Sequence, residues 1–281
     1  MITKHQTIIE GKHQRPILTD FIFCKDQQAK EIVIFCHGYK GYKDWGSWNI
    51  MAEEFAKNNL FFVKFNFSHN GGTVDNPIDF PDLEAFASNN YSIEMDDLES
   101  VIDAVLENVL FENEIDKTKI TLIGHSRGGG IVTLKASQQD KITKVISFNG
   151  ISDIGARFPS GKALEEWRKN GVGYIQNTRT KQQMPNKFQV YENYMANQEK
   201  LDIQAAIKKL TIPHLIIQGS EDFVVPPKEG ENMHKWNPNS EYVLFNGMDH
   251  GLGNTQPWTE KKLPHYMQRV VKYTLAFIKN S

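Results

Sequence analysis

The chain has 281 residues, 40 % of them hydrophobic and 23 % charged, a composition that supports a folded core and excludes a disordered polymer. Its 32 Lys and Arg against 34 Asp and Glu leave a net charge of −2, so no global basic field recommends nucleic acid or an anionic membrane as a partner. The longest apolar runs, such as that ending at Cys36, reach only about five residues, against the roughly 20 of a membrane-spanning helix and the 7 or more of a signal sequence core. A soluble protein is therefore expected. Cys24 and Cys36 are the only cysteines and both fall in apolar strand-like runs, which reads as buried thiols and a cytoplasmic location more than a disulfide framework.

In chain order, two short strand-like runs (7–10 and 17–23) precede a regular alternation of apolar runs and helical patterns. Strands are expected at 31–36, 60–67, 119–123, 143–148, 214–218 and 241–245, each rich in Val, Ile and Phe and bounded by Gly, Asn or Pro. Their near-continuous hydrophobicity marks strands buried on both faces, as in a parallel sheet. The clearest helix is expected over 92–110, where Leu98, Val101, Ile102, Val105, Leu106 and Val109 share one stripe. Ser92 reads as its N-cap, with Glu94, Asp96 and Asp97 complementing the helix dipole. Further helices are expected at 48–58, 127–137, 227–236 and roughly 260–279. The fold class is thus α/β: a predominantly parallel twisted sheet with helices on both faces. The stretch 155–200 breaks the alternation and reads as a small cap inserted into a core formed by 1–154 and 201–281. The cap holds eight Lys or Arg against four Glu, so it carries +4 while the remainder carries −6.

Gly124-His125-Ser126-Arg127-Gly128 matches the G-x-S-x-G pattern, in which a sharp strand-to-helix turn exposes a serine oxygen and small neighbours let backbone approach. The match is short, so context carries the weight: an apolar strand pattern stands directly before it and a helical pattern directly after. A serine hydroxyl needs a base held in place by a carboxylate. Two later strands end in turns that present Asp222 and His250, giving the order Ser126, Asp222, His250, each beyond the carboxyl end of an expected strand. Asp153, after the preceding strand, is the alternative acid. Glu221 and Asp249 read as solvated turn charges. No His/Cys cluster has metal-ligand spacing, and neither a phosphate loop nor a dinucleotide fingerprint occurs; the chemistry needs no cofactor.

On these motifs the chain resembles the α/β-hydrolase fold superfamily, and within it the esterase and acyl-aminopeptidase-like branch that includes feruloyl (cinnamoyl) esterases. The resemblance covers about 30–150 and 207–280 and is weak across 155–200. It implies that Cys36-His37-Gly38-Tyr39-Lys40-Gly41 supplies one oxyanion-hole amide, so that the backbone N–H groups of Tyr39 and Arg127 would bind the oxyanion. It also implies a serine hydrolase that cleaves small-molecule esters through an acyl-enzyme. An amide or peptide hydrolase with the same triad, and a catalytically silent scaffold, stand as alternatives. Many relatives carry Gln or Met after the nucleophile, where this chain has Arg127, whose guanidinium is expected near the pocket. Trp167, Tyr174, Phe188 and Tyr191 are expected to help roof a substrate pocket, and His69 is a further lining candidate. His37 is expected to pack under the oxyanion loop and His125 to fill the turn.

Overall fold

The computed structural model describes all 281 residues. The chain opens with an antiparallel hairpin of β1 (Ile2–Glu10) and β2 (Pro16–Cys24), followed by β3 (Lys30–Cys36), α1 (Trp48–Lys57) and β4 (Leu60–Phe65). Next come α2 (Leu83–Ser88), α3 (Tyr91–Glu107), β5 (Ile115–His125), α4 (Arg127–Ala136) and β6 (Lys144–Phe148). After β6 the chain leaves the sheet to build α5 (Gly161–Asn170), a separate hairpin of β7 (Val172–Gln176) and β8 (Gln183–Lys187), and α6 (Gln189–Ala196). It returns through α7 (Ile203–Lys209) to β9 (His214–Gly219), α8 (Pro227–Trp236), β10 (Glu241–Phe245) and α9 (His265–Asn280).

The sheet has eight strands in the order β1-β2-β4-β3-β5-β6-β9-β10. The six expected core strands are all present and parallel. The amino-terminal pair, expected as two short runs, instead extends the sheet by two full antiparallel strands. Burial explains the patterns: β4, β6 and β9 are buried at every position, whereas β1 alternates because it forms the edge. One face packs α3, α4, α7 and Met233 of α8 into a single apolar cluster; α1 and α9 cover the other. No helix is long and apolar enough to cross a membrane.

Four local expectations are corrected. Helix α3 begins at Tyr91, and its cap is Asn90, whose side chain accepts from the Ile93 N–H at 3.0 Å. Ser92 instead donates to Asn193 in α6 at 3.1 Å. Glu94 and Asp97, expected to complement the helix dipole, do so from buried positions, because that side of the helix start faces the core. Cys36 is buried, but Cys24 is only half-buried at the end of β2; both are free thiols. The final helix, expected from roughly residue 260, starts at His265.

Candidate active site

The order of the sheet reverses at β3, which pairs β4 on one side and β5 on the other; open parallel sheets leave a crevice beyond the carboxyl ends of such strands. Ser126 sits there, on the turn from β5 into α4, with φ 57° and ψ −121°, a conformation L-residues rarely adopt. The flanking glycines make the turn sterically achievable. A Cβ at position 124 would lie 2.1 Å from the Gly128 carbonyl oxygen, and one at 128 would lie 2.3 Å from that of Cys36.

Asp222 follows β9. Its Oδ1 accepts the Val224 and Val225 N–H groups at 2.9 and 2.8 Å, and its Oδ2 lies 2.7 Å from His250 Nδ1. The Asp222 side chain is fully buried. His250 follows β10 and brings its Nε2 to 3.1 Å from the Ser126 hydroxyl. The three residues expected from separate loops thus form one hydrogen-bonded chain. Asp153, the alternative acid, is exposed and accepts the Ala156 N–H in its own turn.

The loop bearing His250 is fixed from beneath. Asn149 donates to the Asp249 and His250 carbonyls at 2.9 and 3.1 Å and accepts the Gly219 N–H at 2.8 Å. His125 Nε2 donates to the His250 carbonyl at 2.8 Å. His125 is held neutral, its pKa lowered to about 3 by burial and by the neighbouring His250. His37 donates from Nδ1 to the Gly38 carbonyl at 2.9 Å and accepts the Phe67 N–H on Nε2; burial lowers its pKa to about 4. Asn149 escaped the sequence reading, although an Asn at a strand's carboxyl end before Gly150 is a signal for such a role.

Tyr39 and Arg127 meet beside Ser126. The Arg127 guanidinium lies between the Tyr39 and Tyr91 rings, 4.3 and 4.6 Å from their centroids, and donates to Glu94 Oε1 at 3.2 Å. Burial pushes the Glu94 carboxyl up from its ordinary range, against the opposing pull of Arg127. The Tyr39 hydroxyl donates to Asn186 of β8 at 2.8 Å. Arg127 opens α4, so its N–H is one of those a helix start leaves without an internal partner, at the positive end of the helix dipole.

Two cavities meet at Ser126, sharing Tyr39, Ile175 and Val224. One, of about 420 Å³, is mainly apolar, with Phe86, Tyr91, Ile151, Phe158 and Trp167 among its walls and Tyr174 at its mouth. The other, of about 700 Å³, is more polar and contains His250, Lys40, Asn177, Arg179 and Gln256. Of the expected lining residues, Trp167 and Tyr174 line the first cavity. Phe188 and Tyr191 lie behind its wall, their ring centroids 5.2 Å from Trp167 and Phe158 respectively. His69 lines neither cavity: its loop folds back through an Asn70 N–H to Phe67 carbonyl bond, and the imidazole pairs with Ser68 and lies beside His13. No group of three or more His, Cys, Asp and Glu side chains is arranged to hold a metal ion.

The excursion's positive charge is largely committed. Arg157 pairs with Glu229, Arg168 with Glu165, Arg179 with Asp79, Lys187 with Glu84, and Lys162 with Glu166.

A mostly parallel eight-stranded sheet with serine, aspartate and histidine joined beyond its strand ends defines an α/β-hydrolase of the esterase-like branch. The family model for phospholipases and carboxylesterases matches residues 18–168, more than half of the chain. The chain belongs to the phospholipase/carboxylesterase family and is a hydrolase of the carboxylesterase type. Among solved structures, Est1E from Butyrivibrio proteoclasticus with ferulic acid bound is similar over 97 % of this chain and 98 % of its own, at 15 % identity and a TM-score of 0.73. A putative hydrolase from Agrobacterium vitis S4 is similar over 99 % of each chain, at 16 % identity and a TM-score of 0.73. The acylaminoacyl peptidase of Pyrococcus horikoshii is similar over 99 % of this chain but only 41 % of its own, at 16 % identity and a TM-score of 0.67. At these identities the likeness is one of fold. Among curated proteins, none matches.

Proposed function

We propose that the protein hydrolyses carboxylic esters of small molecules through an acyl-enzyme on Ser126. The observation that carries this reading is the unbroken chain from Ser126 to His250 (3.1 Å) to Asp222 (2.7 Å) where the two cavities meet. Ser126 Oγ attacks the ester carbonyl while His250 Nε2 takes its proton. Asp222 holds the imidazole in the tautomer that leaves Nε2 free to accept, and stabilises the imidazolium. The Tyr39 and Arg127 N–H groups bind the oxyanion, where one such donor lowers the barrier by about 3 kcal/mol. Collapse expels the alcohol, which takes the proton from His250. Water then repeats the sequence on the acyl-enzyme, releasing the acid and restoring Ser126.

The direction of proton transfer orients the substrate. The leaving oxygen must face His250, so the alcohol occupies the larger, more polar cavity and the acyl group the more apolar one. A volume of about 420 Å³ walled by aromatics suits an aromatic or short to medium acyl group. In this reading residues 155–200 act as a cap that closes the acyl cavity with Trp167 and Tyr174.

The test is labelling with a fluorophosphonate, followed by a panel of p-nitrophenyl and aryl esters of increasing acyl length beside aminoacyl-p-nitroanilides. Labelling of wild type but not of Ser126→Ala, with esters turned over faster than anilides, is the expected result. Faster anilide turnover would make the protein a peptidase, and absence of labelling would make it a silent scaffold.

A further inference from the structure

The two cavities together contain four cationic side chains, and three of them are already neutralised. In the acyl cavity Arg127 pairs with Glu94 at 3.2 Å and Arg157 with Glu229. In the leaving-group cavity Arg179 pairs with Asp79. Lys40, the fourth, also lines the leaving-group cavity and is half-buried. Its ammonium belongs to no ion pair and no side-chain hydrogen bond; its only close aromatic neighbour is Tyr39, 5.9 Å from the ring centroid. Burial, uncompensated by any carboxylate, draws its pKa below the ordinary value. The other titratable side chains lining this cavity are Asp249 and the imidazoles of His37, His125 and His250. Asp249 is exposed and turned into its own loop, accepting the Gly253 N–H at 2.8 Å, so solvent screens it more than it screens Lys40.

A cation withdrawn from water without a counter-charge is unfavourable, and a ligand anion in the same cavity removes that cost. We propose that Lys40 forms an anion subsite on the leaving-group side, so that the enzyme favours esters whose alcohol or phenol carries an anionic substituent. The proposal rests on the ester-hydrolase reading, which fixes the leaving group on the His250 side. It differs from a general attraction by the basic excursion, whose cations are mostly paired, and it leaves the acyl side without charge preference. A lysine ammonium is a point charge on a flexible stem and imposes no bidentate geometry, so carboxylate and phosphonate both satisfy it.

The experiment compares butyrate esters of 3-hydroxybenzoate and 3-hydroxybenzamide, alike in size and different in charge, with a 3-phosphonophenyl ester as a third arm. For each enzyme the ratio of kcat/KM, anionic over neutral, is measured at low ionic strength; comparing ratios between variants cancels intrinsic ester reactivity and any general loss of activity. In Lys40→Met the ratio should fall about tenfold, in Lys40→Glu further, and in Lys40→Arg only slightly, and the wild-type preference should shrink with added salt. Phenyl hemisuccinate over phenyl butyrate, where the charge lies on the acyl side, should keep its ratio in Lys40→Met. The same anionic-over-neutral ratio in wild type and Lys40→Met overturns the subsite, as does an equal change in the acyl-side ratio. Failure of wild type to cleave any of these esters is a different outcome: it overturns the ester-hydrolase reading itself.

Discussion

Around Ser126 the backbone leaves almost no choice of residue, whereas across 155–200 the chain is held by side chains reaching out of the segment. Gly124 and Gly128 touch opposing backbone so closely that any Cβ collides, and Ser126 sits at positive φ between them. The excursion is instead fastened by polar bonds at a distance: Gln189 to Asn89 and Asn90, Asn193 to Ser92, Asn186 to Tyr39. Its interior is a small cluster of Phe158, Trp167, Phe188, Tyr191 and Tyr194. The first kind of constraint fixes geometry and tolerates no substitution. The second fixes position while leaving the walls of the smaller, apolar cavity, the proposed acyl site, free to vary. Chemistry should therefore fail completely when the first region is altered, and selectivity should shift when the second is.

The largest effect is expected from Ser126→Ala, which removes the attacking oxygen and leaves only binding and oxyanion stabilisation. Ester kcat should fall by roughly 10⁴ to 10⁶ with the melting temperature unchanged. His250→Ala should be comparably severe, and the double variant no worse than either, because both residues serve one proton-coupled step. Retention of a tenth of the wild-type rate in Ser126→Ala, or additive losses in the double variant, would break the pairing.

Asp222→Asn should follow, with a loss of up to about 10⁴ in kcat, because an amide at 2.7 Å from His250 Nδ1 favours the wrong imidazole tautomer. Asp153→Asn should leave the rate near wild type, since Asp153 bonds only within its own turn. Steady-state kinetics on one p-nitrophenyl ester ranks the two, and the reverse ranking would move the acid to Asp153.

What could be read in advance follows the same division. The strand cores, the nucleophile turn and the loops bearing Asp222 and His250 depend on near neighbours in sequence: runs of Val, Ile and Phe, and Gly where backbone must approach. The extra antiparallel strands were only half visible because β1 is an edge whose half-buried side holds Thr3, His5 and Thr7 while Ile8 is exposed, which dilutes the apolar alternation. Helices α5 and α6 lack a fully apolar stripe, since they bury little and lean on partners far away in the chain. The burial of Glu94 could not be foreseen without knowing that Arg127, 33 residues on, would meet it. His69 was a candidate by proximity in sequence alone, and the turn after β4 directs it away.

Acid should damage the catalytic half before the excursion, which contains no histidine. Burial lowers the pKa of His37 and His69 to about 4 and of His125 and His214 to about 3, from the ordinary 6.5. The unfolded chain takes up protons on these groups as pH falls below about 6.5 while the folded chain does not, so stability is lost from there downward. Asp97 acts in the opposite sense. Its pKa is raised to about 7 by burial, so the folded state keeps a proton that the unfolded state releases above about 4, which favours folding as pH falls through that window. Glu94, whose carboxyl burial also pushes up, acts in the same sense as Asp97; with four histidines against these two carboxyls, the denaturant midpoint should decline from pH 6.5 to 4. In Asp97→Asn, which removes one opposing group, the decline should be steeper; an equal or shallower slope would show that Asp97 does not hold its proton.

The smallest effects separate the two regions most directly. Arg127→Met removes the charge that sits between the Tyr39 and Tyr91 rings and answers Glu94, yet keeps the backbone N–H. If that contact holds the Tyr39 and Arg127 amides at the right spacing, kcat should fall about tenfold for every ester with KM little changed, since only transition-state binding is lost. The Glu94→Gln/Arg127→Met pair should recover stability, because it no longer buries an unpaired carboxylate, without recovering kcat. Trp167→Ala should do the reverse. It opens the wall of the acyl cavity while Phe188 and Tyr191 remain behind it, so bulky aromatic acyl groups lose their contact and acetate esters do not. The expected change is a few-fold to tenfold in the ratio of aryl to acetyl kcat/KM, with kcat for the acetate ester held near wild type. An Arg127→Met variant that altered acyl ranking, or a Trp167→Ala variant that slowed all esters alike, would mean that the division between a backbone-fixed chemical half and a side-chain-held selective half does not describe this enzyme.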